Sequence, residues 1–140
     1  SHILVVTTDG FGLGTRQYYR ARDHAGSAAA RHVVSFRQLP PDIRVKVGIL
    51  GGTGPQGRGL ARRLAAAGHE VLIGSRSVGR AELVAAEYPH QKGFGRILGV
   101  SNSDAAAAEL VIVAVPYDGH AALLSSLATE LAGKIVVDCV

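Results

Sequence analysis

The sequence predicts an α/β fold, a Rossmann-type parallel sheet with helices on both faces. Three observations predict it. From Val45 onward, short apolar runs alternate with helical stretches, the signature of βαβ units. The runs VKVGIL, LVIVAV and IVVDCV are apolar throughout, as expected of strands covered on both faces. A glycine-rich turn, Gly52-Thr53-Gly54-Pro55-Gln56-Gly57, joins the first of these runs to a helix. Right-handed crossovers then make the spatial strand order 3-2-1-4-5 the natural one.

Taken in order, Ile3 to Thr7 is a short β-branched run that reads as a strand. Asp9 to Gly14 is rich in turn residues, and Thr15 is placed to cap a helix running through Tyr18, Tyr19 and Ala28 towards Val33. Leu39-Pro40-Pro41-Asp42 breaks that helix and reads as a linker. Residues 1–44 are therefore expected to be an N-terminal extension of unknown role holding one βα unit. Residues 45–140 are expected to be the Rossmann domain.

Within that domain, Val45–Leu50 reads as a strand and Gln56–Ala67 as a helix ended by Gly68. Glu70–Gly74 is the second strand. Arg80–Glu87 is the second helix, closed by Tyr88 and Pro89. Arg96–Val100 is the third strand and Asp104–Glu109 a short helix. Leu110–Val115 is a strand ended by Pro116. A helix over Gly119–Leu131 stops at Gly133, and Ile135–Cys139 is the last strand.

Composition narrows the function classes. Hydrophobic residues make up 47% and charged residues 19% of the 140 residues, a globular balance able to bury a core without disulfides or metals. The net charge of +4 is spread along the chain, with no basic run and no interleaved aromatics. Nucleic acid is not expected as a partner, and the charge suits a phosphorylated small molecule. The single cysteine, Cys139, excludes an internal disulfide and fits a cytoplasmic setting. No segment reads as a membrane span or a signal peptide. The chain has no Met, so Ser1 is not read as a natural start.

The turn carries the chemistry. It is a G-x-G-x-x-G in its proper context, directly after a strand and opening a helix. Gly52 is expected to allow the tight turn, Gly54 the close approach of a pyrophosphate, and Gly57 the packing of helix on sheet. The helix N-terminus offers free N–H groups and a positive dipole end to the phosphates. A site for NAD carries Asp or Glu at the end of the second strand, to bond the ribose 2′-hydroxyl. Here that place reads Gly74-Ser75-Arg76, with no carboxylate. Ser75 can donate one hydrogen bond to a 2′-phosphate, and Arg76 two along with its charge. Arg80 and Thr53 are further candidates, so NADP(H) is the expected cofactor. No metal-ligand spacing, Ser–His–Asp arrangement or paired carboxylates are found, and no catalytic side chain is assigned.

The stretch GILGGTGPQGRGLARRLAAAGHEVLIGSR resembles the NADPH:coenzyme F420 oxidoreductase family in its Gly-Gly-Thr-Gly turn, Ala-Gly-His-Glu-Val step and Gly-Ser-Arg strand end. The later stretches Asn102–Ala106, Val113–Tyr117 and Gly133–Asp138 are similar to it too, so the likeness covers residues 45 to 140. The resemblance implies that Thr53, Ser75 and Arg76 hold the 2′-phosphate, with Arg80 where the family tends to be basic. It also implies that Ala114, Val115 and Pro116 lie under the nicotinamide side. The implied activity is hydride transfer between NADPH and the deazaflavin F420 as co-substrate. The family continues beyond the equivalent of Val140, so a domain truncated at its C-terminus is expected to bind cofactor but turn over poorly. The same half occurs in NADP-dependent imine and hydroxy-acid reductases of the pyrroline-5-carboxylate reductase kind, and a non-catalytic dinucleotide-sensing module is a further alternative. Apolar surface left at the end of the sheet would favour a homo-oligomer.

Other residues read more plainly. The second glycine cluster, at Gly10, Gly12 and Gly14, is G-x-G-x-G and is expected to be an ordinary turn. His69 is expected in a solvated loop, His120 on a helix surface, and Cys139 in the core. Asp138 stands at a strand end, where ligands of such sheets bind.

Overall fold

The computed structural model describes residues 3–5, 20–22 and 44–139. Two short strands, β1 (Ile3–Val5) and β2 (Arg20–Arg22), pair antiparallel, with Leu4 opposite Ala21. This corrects the helix expected from Thr15 to Val33, because Arg20–Arg22 is a strand. Pairing with Ile3–Val5 gives one edge of it hydrogen-bond partners, and tertiary pairing overrides a weak helical propensity. The turn read at Asp9 to Gly14, the remainder of that helix, and the linker at Leu39–Asp42 lie outside the described residues.

The domain is a five-stranded parallel sheet. Its strands are β3 (Lys46–Leu50), β4 (Glu70–Ser75), β5 (Ile97–Ser101), β6 (Leu110–Val113) and β7 (Ile135–Asp138). Their order is β5-β4-β3-β6-β7, which is the expected 3-2-1-4-5. All four pairings are parallel, with Val47 opposite both Val71 and Leu110. The chain leaves β3 on one side and returns to it on the other, so a crevice opens beyond the carboxyl ends of β3 and β6.

Alternation along the strands splits the core into two faces. Val47, Ile49, Val71, Ile73, Ile97 and Ile112 turn to one face, under α1 (Pro55–Ala66) and α2 (Val78–Ala86). Leu50, Leu72, Val111, Val113 and Val136 turn to the other, under α3 (Asn102–Ala106) and the helical stretch that follows β6. The helices present alanine to the sheet: Ala61, Ala65, Ala81, Ala105 and Ala106 are wholly buried. The strands meet them with glycine. A Cβ on Gly48 would lie 1.9 Å from the Ala105 carbonyl oxygen, and one on Gly99 would lie 2.2 Å from the Ala81 carbonyl carbon.

Strand ends and the ends of α1 move by one or two residues, and the helices differ in three further places. Ser77 caps α2 by accepting from the Arg80 N–H, so this helix starts at Val78 and Arg80 falls in its first turn rather than at its start. Ser101 caps α3 by accepting from the Asp104 N–H, so α3 runs over Asn102–Ala106 rather than Asp104–Glu109. The helix expected over Gly119–Leu131 is two, α4 (His120–Ser126) and α5 (Ala128–Leu131), broken at the buried Leu127. Among the described residues, no helix is long and apolar enough to cross a membrane.

Filling the space at Gly48 tests this packing. Gly48→Ala should push α3 off the sheet and lower unfolding free energy by about 1–3 kcal/mol. Urea unfolding would show it as a lower midpoint at unchanged slope.

Candidate dinucleotide site

The phosphate turn is folded by its glycines, with roles partly different from those expected. Gly51, not Gly52, takes the left-handed conformation at the strand exit, at φ 66°. Gly52 and Gly57 are buried back to back, and a Cβ on Gly57 would lie 2.5 Å from the Gly52 Cα. These two seat α1 against the turn and do not line the cleft. A Cβ on Gly54 would meet no protein atom nearer than 4.0 Å, so packing alone does not call for glycine there. The open space lies on the side where a ligand would come against the backbone.

The turn leaves donors free. Gly54 is the N-cap of α1 and provides no side chain to cap it. Among the described residues, the N–H groups of Thr53, Gly54 and Gln56 donate to nothing. The turn is held by its surroundings instead. Gly52 N–H donates to the Gly74 carbonyl at 2.9 Å, and Gly51 N–H to Asn102 Oδ1 at 3.2 Å. An N–H can only donate, so the Asn102 oxygen must face Gly51 and its amide NH₂ is left as a donor.

The turn opens on a cleft of about 520 Å³, of a size that takes cofactors. Its walls bring together Thr53, Gly54, Pro55 and Gln56 from the turn, Ser75, Arg76 and Arg80 from the β4–α2 junction, and Ala114, Val115 and Pro116 beyond β6. Of the residues expected to hold the cofactor, Gly52 and Gly57 stand behind the wall and the others line it. Sequence reading missed Gly51, Asn102, Asp118, Gly119 and Leu123, which also line it. Gly51 stands beside the motif and could have been found. Asn102 reaches the turn from a place 51 residues away, which no local pattern records.

The β4–α2 junction is cationic. Ser75 is buried at the end of β4, and its hydroxyl oxygen accepts from the Ser77 N–H at 3.2 Å. The hydroxyl proton remains free to donate. Arg76 and Arg80 are exposed, and among the described residues neither forms a salt bridge. Among the described residues, no carboxylate lines this end of the cleft. Asp118, the one acidic residue among the described lining, follows Pro116 at the β6 end.

A match to a family model now decides the relationship. Residues 46–140 match the model described as NADP oxidoreductase, coenzyme F420-dependent. The chain belongs to this family. It is 40% identical over 97 residues to the F420-dependent NADP reductase of Methanothermobacter marburgensis, an alignment covering 67% of this chain and 43% of that protein. It is 44% identical over 98 residues to the F420-dependent NADP reductase of Methanocaldococcus jannaschii, covering 66% and 44%. The chain thus spans less than half the length of the curated relatives it matches. In this family member the described residues that line the cleft all fall within the matched residues 46–140.

Three residues stand elsewhere than expected. His69 is half-buried and structural, its Nδ1 accepting from the Val45 N–H at 3.1 Å. His120 opens α4, with Nε2 2.9 Å from Asp138 Oδ2, so it ties that helix to the end of β7. Cys139 is exposed rather than in the core. Partial burial of its sulfur, with the Asp138 carboxylate beside it, raises the thiol pKa, away from a reactive thiolate. No group of three or more potential metal ligands occurs among the described residues.

The two kinds of lining residue should separate in a stability series. Asn102→Ala strands the Gly51 N–H and should cost about 1–3 kcal/mol. Arg76→Ala and Arg80→Ala should stay within about 0.5 kcal/mol of the parent. Thermal or urea unfolding distinguishes them, and a large loss at either arginine would mean that it supports the fold.

Proposed function

We propose that residues 45–140 form the NADP(H)-binding part of an oxidoreductase that passes a hydride between NADPH and the deazaflavin coenzyme F420. One observation carries the reading: two unpaired arginines and a free serine hydroxyl share a cleft with the open N–H groups of a glycine turn. That pairing suits a molecule with a pyrophosphate at one point and a further phosphate a ribose away. The names of the family and of its relatives point to the second substrate.

The residues divide the work. The N–H groups of Thr53, Gly54 and Gln56, backed by the N-terminal dipole of α1, receive the pyrophosphate. Ser75 donates to the 2′-phosphate. Arg76 and Arg80 neutralise it, with Arg76 able to bond it through two parallel N–H groups. Thr53 adds a hydroxyl from the turn. Ala114, Val115 and Pro116 offer an apolar ledge for a flat ring beyond β6 and help keep water from one side of it. The bound nicotinamide and deazaflavin supply the hydride chemistry themselves, and the protein's part is to hold them in register. No side-chain nucleophile or metal ligand is needed for that task. Residues 1–44 are assigned no part in it.

Calorimetric titration with NADP⁺ and NAD⁺ at fixed ionic strength tests the reading. NADP⁺ should bind at least about tenfold more tightly, roughly 1.4 kcal/mol. Equal binding, or a preference for NAD⁺, would remove the 2′-phosphate assignment. Arg76→Asp should lower affinity for NADP⁺ far more than for NAD⁺, since it replaces an attractive charge with a repulsive one. The NADP⁺ preference should also shrink as salt rises, because both arginines are exposed.

A further inference from the structure

Arg58 sits in the first turn of α1, next to the glycine motif, yet it does not line the cleft. Its side chain turns back under the motif. Arg58 Nε donates to the Thr53 carbonyl oxygen at 3.0 Å. Its NH1 group donates to Glu87 Oε2 at 2.7 Å, an ion pair with the residue that ends α2. The next residue, Tyr88, donates its hydroxyl to the Arg58 carbonyl at 3.0 Å. Burial pushes the Tyr88 phenol pKa up, with Glu87 adding to the rise and Arg58 and Arg62 opposing it, so the phenol keeps the proton it donates. The guanidinium is therefore anchored at both ends, by Glu87 on α2 and by the turn.

The bond to Thr53 has a consequence on the other side of the peptide. In a planar trans peptide the C=O and the following N–H point in opposite directions. With the Thr53 carbonyl fixed on Arg58, the Gly54 N–H is aimed away from Arg58. Gly54 lines the cleft and that N–H has no partner among the described residues. Without the bond this peptide could rotate, since a glycine on its C-terminal side resists rotation least.

We propose that Arg58 is a positioning residue for pyrophosphate, which holds the Thr53–Gly54 peptide with its N–H turned into the cleft and does not itself touch the ligand. This rests on the dinucleotide reading above and deepens it. It divides recognition in two: Arg58 governs the part common to NADP and NAD, whereas Arg76 and Arg80 govern the 2′-phosphate.

The full chain is titrated with NADP⁺, NAD⁺ and 2′-AMP, which carries the 2′-phosphate but no pyrophosphate. Arg58→Ala should weaken NADP⁺ and NAD⁺ by the same factor, about tenfold for one misdirected donor. It should leave 2′-AMP at the parent affinity. In the ligand-free variant, the Gly54 amide resonance should move. Tyr88→Phe removes a different bond from Arg58 and spares the one to Thr53, so it should leave all three affinities unchanged. A loss confined to NADP⁺ and 2′-AMP would mean that Arg58 binds the 2′-phosphate directly. An equal loss for all three probes would mean general damage to the fold, and no loss would mean that the contact is only packing. Each of these overturns the proposal. If the parent chain binds neither dinucleotide, the dinucleotide reading falls as well. If the parent binds and Arg58→Ala binds equally well, only the role of Arg58 falls.

Discussion

The contact between Gly57 and Gly52 sets the geometry on which the site depends. Backbone rests on backbone there, with no room for a methyl group between. The first turn of α1 is thereby held at the exit of β3, and its N-terminus faces the crevice. A helix seated one side chain farther out would carry its free N–H groups away from the carboxyl end of the sheet. The same close approach recurs where Ala105 meets Gly48 and Ala81 meets Gly99. It explains the glycines at positions 48, 52, 57 and 99: three-layer packing at this spacing leaves little volume for side chains between layers.

Around that fixed point the cleft is electrostatically one-sided. Its turn is lined by N–H groups and its β4 end by two arginines, with the acidic Asp118 kept to the β6 end. The turn's own polarity is managed from behind. Asn102 and Gly74 take the N–H groups of Gly51 and Gly52, and Arg58 takes the carbonyl of Thr53. The unpartnered N–H groups of Thr53, Gly54 and Gln56 belong to residues that line the cleft. A buried turn with unanswered groups on both sides would be costly. One answered only on its inner side is a stable structure with a surplus of donors in one direction.

The sheet, its strand order and most of the cleft were legible because they follow from local patterns: apolar strand runs, a glycine motif in context, and a strand end reading Ser-Arg in place of a carboxylate. Two classes of feature were not legible. One is pairing at a distance, as in Asn102 with Gly51, Arg58 with Glu87 and His120 with Asp138, where nothing nearby marks the partner. The other is competition between local preferences. Ser77 and Ser101 cap helices earlier than the apolar periodicity starts them. Leu127 breaks a helix with no glycine or proline to mark the place, through burial in the core. At Arg20–Arg22 a strand partner won over a segment that reads as helix when taken alone.

The two halves of the cleft differ in what they are made from. The proposed grip at the turn consists of main-chain N–H groups, which every residue except proline possesses, so most substitutions there change shape and leave the hydrogen-bonding groups in place. The proposed grip at the β4 end consists of the side chains of Ser75, Arg76 and Arg80, two of them on the surface with no structural bond to lose. The first half is thus fixed by the backbone, and the second by three replaceable side chains. Under the proposed dinucleotide reading, the choice between the two nicotinamide currencies rests on a few codons at the second strand's end, apart from the scaffold that presents the turn.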